Sequence, residues 1–330
     1  MNRRDFVSTS MLGSLSYFLS EKNSLLANDF SENAEKSPLD LSKKKAQCDG
    51  NVRFCLNLGT IRSYNLNLQE ELEVATQAGY HSVEIWMDRL ADYAGDGNGS
   101  FNESKLLELK KYLDDEGLAI EGGIGFAPWI VDDEQKRSSG LEELKRQSEA
   151  LAILGGPCIA APASGASQRI ELKQIADRYA TILGICGSIG VRPLLELWGT
   201  SPALSRVADA LVICAEAQRE DVALLLDVYH MFRGGNSFSV LSMIPASMIP
   251  VFHMNDYPAF PERTELQDRD RVFPGDGKAP WKQIVGALKR NHFKGALSFE
   301  IFNPTYAKEY APVEQAKIGL GKMQALWNEF

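Results

Sequence analysis

Val222-Ala223-Leu224-Leu225-Leu226-Asp227-Val228-Tyr229-His230 is an apolar run that stops at an acid and, three residues on, reaches an imidazole. Its opening residues are apolar without alternation, the pattern of a strand covered on both faces, as in a parallel sheet wrapped by helices. The polar residues then mark where the strand leaves the core. The arrangement recurs upstream and downstream. Pro193-Leu194-Leu195-Glu196-Leu197-Trp198 and Gly295-Ala296-Leu297-Ser298-Phe299-Glu300 each carry an acid at the end of an apolar run, and Ile249-Pro250-Val251-Phe252-His253-Met254-Asn255-Asp256 carries a histidine there.

If these four strands are parallel neighbours, Glu196, Asp227, His253 and Glu300 converge on one rim. Three carboxylates and one imidazole form a hard, oxygen-rich donor set for one divalent metal ion. Mn²⁺ is expected first, with Mg²⁺, Co²⁺ and Zn²⁺ as alternatives, because affinity order alone does not choose among them.

The rest of the chain repeats the strand–helix alternation. Strands are expected over 54–59, 82–86, 119–124, 158–161, 194–197, 223–226, 250–254 and 296–299. Helices are expected over 68–78, 102–116, 141–154, 172–188, 204–218, 281–290 and 313–328, with a short one within 237–243. Gly79 and Gly117 end the first two helices, and a Gly/Asn/Ser-rich loop fills 95–100. Eight such units close an α/β (β/α)8 barrel, a TIM barrel, as a single domain over 53–330. An open doubly wound sheet would want a Gly-rich phosphate turn after its first strand, and Asn57-Leu58-Gly59-Thr60 is not one. In a barrel of this kind the carboxyl ends of the strands form the active-site face, where the four candidate ligands fall.

At 330 residues with 44% hydrophobic content, the chain buries a sizeable core. A formal charge of −9 argues against a surface built to neutralise phosphates, so no nucleic-acid partner is expected. The five cysteines (Cys48, Cys55, Cys158, Cys186, Cys214) are widely spaced, lack a C-x-x-C pair and read as small buried hydrophobes. No run of eighteen apolar residues implies a membrane-spanning segment.

Met1-Asn2-Arg3-Arg4-Asp5-Phe6-Val7-Ser8, followed by a mildly apolar, Ser- and Gly-containing stretch, resembles a twin-arginine export signal over 1–27. That resemblance implies the twin-arginine export machinery as a partner and a periplasmic destination. Residues 28–52 are polar, include Lys43-Lys44-Lys45, show no apolar periodicity and read as a flexible tether.

Several motifs occur together: Glu196 in Leu-Leu-Glu-Leu-Trp, the pair Asp227-x-x-His230, His253 with Asp256 in His-Met-Asn-Asp, Arg271 in Arg-x-x-Pro-Gly-Asp-Gly, and Glu300. With them the chain resembles the xylose isomerase-like TIM barrel family of sugar isomerases and epimerases, from about Arg53 to the carboxyl terminus. The resemblance implies that Glu196, Asp227, His253 and Glu300 hold the metal ion, that Glu196 and Glu300 also transfer protons, and that His230 and Arg271 touch substrate oxygens. Asp256, Trp86 and Trp198 join the expected substrate-binding set, the indoles offering faces to a sugar ring. Glu84, Trp129, Arg62 and Asp88 are further candidates near the mouth. Trinuclear endonucleases of the same superfamily need additional histidine ligands. This chain has four histidines, of which His81 and His292 precede their strands and belong to the opposite face.

The chemistry implied is proton abstraction alpha to the carbonyl of a ketose or keto-sugar, giving an enediolate, by a metal-dependent isomerase or epimerase. A metal-dependent lyase or dehydratase on a keto-sugar or keto-inositol shares that first step, and a non-catalytic carbohydrate-binding barrel is the third reading. The partner in each case is a small carbohydrate; a homo-oligomer is left open. A chain beginning near Asn51 is expected to melt with the cooperativity of the full chain, because 1–52 carries no apolar face to bury. Calorimetry checks this, and a fall of many degrees on truncation would show that the segment docks on the barrel.

Overall fold

The computed structural model describes residues 52–330; the expected export signal and all but the last residue of the tether lie outside the described residues. The chain runs β1 (Arg53–Asn57), α1 (Leu68–Ala78), β2 (Ser82–Trp86), α2 (Met87–Ala94), α3 (Glu103–Asp115), β3 (Ala119–Ile124), α4 (Glu134–Leu154), β4 (Cys158–Pro162) and α5 (Leu172–Ile189). It continues with β5 (Arg192–Glu196), α6 (Val207–Glu216), β6 (Leu224–Asp227), α7 (Val228–Arg233), β7 (Val251–Met254), α8 (Trp281–Arg290), β8 (Ala296–Phe299), α9 (Tyr306–Glu309) and α10 (Pro312–Glu329). The strands close into a barrel in chain order, and β1 pairs with β8 in parallel. The fold is the (β/α)8 barrel that the alternation predicts.

The unalternating strands have a geometric cause. One set of side chains packs outward against the helices, whereas Cys55, Ile124, Cys158, Ala160, Leu194, Ala223, Leu225, Val251 and Ala296 form a separate apolar plug. Both faces are therefore dry. Two residues further along the strand, the period of a β-strand returns the chain to the plug's side: Leu194 leads to Glu196, Leu225 to Asp227, Val251 to His253, and Ala296 through Ser298 to Glu300. The candidate ligands thus continue the plug's columns toward the carboxyl ends of the strands.

Local signals set the helices. Asn67 and Glu70 form a capping box at the start of α1, and Gly79, at φ 91°, ends it in a left-handed turn. Asp133 caps α4, which begins seven residues before the expected start because 134–140 is too polar to show an apolar stripe. Helix α2 was not expected. It follows β2 directly and is short, with Met87, Leu90 and Ala94 buried. The four described cysteines are free and buried; burial pushes the thiols of Cys158 and Cys214 up to about 12, so they behave as hydrophobes.

One buried charge is a liability. Glu71 on α1 is fully buried, neither carboxylate oxygen has a hydrogen-bond donor, and its nearest cation, Arg89 Nε, is 3.4 Å away. Burial, only partly offset by Arg89, raises its pKa from 4.5 to about 7. Below the ordinary value both folded and unfolded states hold the proton. As pH rises toward about 7 the unfolded chain releases it first, so stability falls by roughly 3 kcal/mol and stays lowered above that. Glu71→Gln is expected to raise the melting temperature at about pH 8 and to do far less at about pH 5. An equal gain at both, in melts across pH, would assign the effect to packing instead.

Candidate active site and metal centre

Register brings the ligands together. Asp227 on β6 lies opposite His253 on β7, and His253 lies opposite Ser298 on β8, two residues before Glu300. Asp227, His253 and Glu300 are all buried, and each offers a ligand atom within 4.8 Å of the others'. His253 Nδ1 is 3.2 Å from Glu300 Oε2 and 3.8 Å from Asp227 Oδ2. Glu196 does not belong to that close group, yet it is 6% exposed and its Oε2 is buried without a donor.

The surroundings determine how each group is charged. Burial, reinforced by Glu300 and opposed by His253, pushes the Glu196 carboxyl up to about 8. Burial acts the same way on Glu300, but His253 and Arg271 outweigh it and hold Glu300 well below the usual carboxylate range. His253 is pulled the other way: burial would lower its pKa, and the flanking Glu300 and Glu84 raise it well above the imidazole value. Three buried atoms here lack hydrogen-bond partners: His253 Nδ1, Glu196 Oε2 and Arg271 Nε. With oxygen-rich donors and surplus negative charge, the residues fit a divalent cation.

Arg271 is no surface residue. It is 1% exposed, and its Nη1 donates to Glu300 Oε2 at 2.7 Å and to Asp227 Oδ2 at 3.3 Å. Nη2 reaches Asp268 Oδ1 at 2.6 Å, and the guanidinium lies over the rings of Tyr229 and Phe302. His230, in the first turn after Asp227, has Nε2 3.1 Å from Arg271 Nη2 and Nδ1 3.3 Å from the Gly199 N–H. Burial and the Arg271 charge lower its pKa, so the ring is held neutral. That turn forms because Asp227 Oδ1 accepts from the His230 N–H at 2.7 Å, leaving Oδ2 for the site.

Trp86 and Trp198 belong to a wall of tilted rings: Trp86 sits 5.3 Å from Phe126 and 5.9 Å from Phe302, and Phe126 sits 6.0 Å from Trp198. Phe126 is 41% exposed, so the wall is reachable from solvent. Gly59 makes room for it, since a Cβ there would come within 2.6 Å of the Trp86 indole. Arg62, paired with Asp88, covers the Trp86 ring at 4.7 Å.

Two expectations are corrected. Asp256 does not face the site: its carboxylate accepts from Tyr257 N, Gly275 N, Ala279 N and Trp281 Nε1, which ties down the Pro274-Gly275-Asp276-Gly277 loop. Its neighbour Asn255 reaches the site instead, donating to Asp227 Oδ2 and accepting from Tyr229 N. Strand alternation explains the exchange, because residue 255 shares the inward side with His253 and residue 256 does not. Trp129 is packing rather than mouth: it is buried beside Tyr179 and donates to Pro162 O at 2.9 Å. Asn57, Ser298, Phe126 and Phe302 were not among the expected residues, and Glu84, expected near the mouth, contacts His253 Nε2 at 2.9 Å.

The chain is similar to several known proteins. The inosose isomerase of Halalkalibacterium halodurans is 30% identical over 77% of this chain and 89% of its own length. The 3-dehydroshikimate dehydratase of Pseudomonas putida is 22% identical over 75% of this chain, a region that is 38% of that enzyme. The solved structure of the IOLI protein with a binding zinc atom matches with a TM-score of 0.75 at 25% identity, covering 84% of this chain and 99% of that one. Residues 72–326 match the model of the family described as xylose isomerase-like TIM barrel, and the chain belongs to that family.

Proposed function

We propose that the protein is a divalent-metal-dependent isomerase or epimerase of a keto-sugar or keto-inositol, working by proton abstraction alpha to the carbonyl. The observation that carries this reading is the buried trio Asp227, His253 and Glu300 with Glu196, whose Oε2 is buried without a partner, beside it. The inosose isomerase relative supports the activity, and the zinc of the IOLI structure supports the metal. Asp227, His253 and Glu300, joined by Glu196, would hold the ion; Mn²⁺ remains our first choice from the oxygen-rich donor set. When bound, the ion supplies electrostatic stabilisation of negative charge developing on neighbouring substrate oxygens.

The chain's own residues do the rest. The ring wall of Trp86, Phe126 and Trp198 takes the apolar face of the substrate and excludes water. Arg271 donates hydrogen bonds without giving up its proton, and neutral His230 lies beside it. Proton transfer then falls to two carboxyl groups with different surroundings: Glu300, bonded to Arg271, takes the proton, and Glu196, whose Oε2 no protein donor reaches, returns one.

The dehydratase relative favours a second reading, elimination after the same proton abstraction. Product mixtures formed in heavy water separate the two: carbon-bound deuterium in a rearranged product supports the isomerase, and loss of water supports the dehydratase.

Two outcomes follow. Asp227→Ala and His253→Ala are each expected to lose the bound ion, as elemental analysis of the purified chain shows; stoichiometric metal in both would overturn the site. Glu196→Gln and Glu300→Gln keep a carbonyl oxygen as a donor but remove the proton-transfer group. Each is expected to lose about 10²- to 10⁴-fold in kcat with metal content retained. Glu300→Gln should abolish solvent exchange of the substrate's carbon-bound proton, whereas Glu196→Gln should still exchange it without completing turnover. Turnover at the wild-type rate in either would falsify the two-carboxylate mechanism.

A further inference from the structure

We infer that Glu84 is a positioning residue of the metal centre, holding His253 in the tautomer that offers Nδ1 to a cation, with Asn57 tying the same carboxylate to Glu300. The inference rests on the metal-centre reading above. Glu84 is 1% exposed, and its Oε2 faces three groups: His253 Nε2 at 2.9 Å, Ser298 Oγ and Asn57 Nδ2 at 3.3 Å. A carboxylate oxygen accepts from a ring N–H, so Glu84 Oε2 holds a ring proton on Nε2 whether or not Nδ1 is protonated, and Nδ1 is the ring atom that faces the other way. On that side lie Glu300 Oε2 and Asp227 Oδ2, and Nδ1 is buried with no donor to it. The ring is thus clamped between a carboxylate that takes its proton and two carboxylates that do not supply one.

The backbone is built for this. Where β2 meets β3 the register pairs Val83 with Ile120 but Glu84 with Gly122, so an extra residue, Glu121, is inserted opposite Glu84. That bulge lies in β3, whereas Glu84 turns inward by alternation along β2: Val83 and Ile85 join the outer core and Trp86 packs on the interior plug. Asn57 is fixed as well. Its Oδ1 accepts from Trp86 Nε1 at 2.7 Å and from Gly59 N at 3.0 Å, so its amide cannot flip without turning its NH₂ toward two donors. Nδ2 is left to donate to Glu84 and, at 2.9 Å, to Glu300 Oε1, which leaves Glu300 Oε2 as the oxygen beside His253. The Trp86 indole of the substrate wall, the Glu84 carboxylate and the Glu300 ligand therefore share one amide. Groups that orient metal-binding histidines in this way are worth roughly 10- to 100-fold in metal affinity.

The test uses the full chain and Zn²⁺. With four histidines in the sequence, nitrogen-15-labelled imidazoles can be assigned by substitution and their tautomers read by NMR. In the zinc-loaded wild type, His253 is expected to carry its proton on Nε2. In Glu84→Gln a weaker, neutral acceptor replaces the carboxylate oxygen that faces His253, Ser298 and Asn57. Zinc binding, measured by competition with a chelator, is expected to weaken about 10- to 100-fold, while the zinc-free chain keeps its cooperative melt. Wild-type affinity in Glu84→Gln, or a zinc-loaded wild type with the His253 proton on Nδ1, would overturn the inference and leave the metal centre intact. If Glu84→Gln does not fold, the wild-type tautomer decides alone. A wild-type chain that binds no zinc refutes the metal centre itself, and this inference with it.

Discussion

Buried negative charge is the constraint on which the site depends. Glu84, Glu196, Asp227 and Glu300 are each 6% exposed or less, and the cations among them are Arg271 and the flanked His253. Ionised carboxylates withdrawn from water are tolerable only when charge and hydrogen bonds answer them. The structure answers unequally. Asp227 and Glu300 share Arg271 Nη1, Glu84 collects three neighbours, and Glu196 keeps an oxygen with none. That inequality separates a carboxyl holding its proton near neutrality from one that does not, and it leaves the cluster suited to a further cation.

The barrel makes this concentration of charge affordable. Apolar residues of the same inward columns fill the interior beneath the site, and a wall of aromatic rings stands beside it. In such low-dielectric surroundings each donor and charge acts more strongly than at a surface. The loop carrying Arg271 is held from below by Asp256, whose four accepted hydrogen bonds fix the turn around Gly275. A residue that touches no ligand thereby helps set where the guanidinium stands.

Much of this was legible in the chain because strand periodicity and chemistry coincide at Glu196, Asp227, His253 and Glu300. An acid or imidazole that ends an unalternating apolar run has few other places to go in a parallel barrel. What stayed hidden was of two kinds. Asn57 and Ser298 lie at a strand end or within a strand, where one polar residue carries no periodic signal, and Glu84, a candidate for the mouth, gave no sign in the sequence that its partner would be His253. Asp256 misled because a motif was carried over as a block, when alternation alone separates residue 255 from residue 256. Helix α2 was missed because it is too short for an apolar stripe to stand out from the loop beyond it.

The isomerase and dehydratase readings part at the second proton, and the structure narrows who can deliver it. Arg271 keeps its proton at any accessible pH. His230 is held neutral, with both ring nitrogens beside N–H donors, so a further proton on that ring would face two groups that cannot accept it. Glu300 is held ionised by His253 and Arg271. Among these groups our proposal leaves Glu196, whose Oε2 no protein donor reaches, to deliver that proton. Returning that proton to carbon completes an isomerisation, and giving it to a hydroxyl beta to the carbonyl expels water. On the function proposed here, the reaction would turn on which substrate atom the rings of Trp86, Phe126 and Trp198 bring to Glu196, so a change in those rings would exchange one chemistry for the other without a change in the proposed metal ligands.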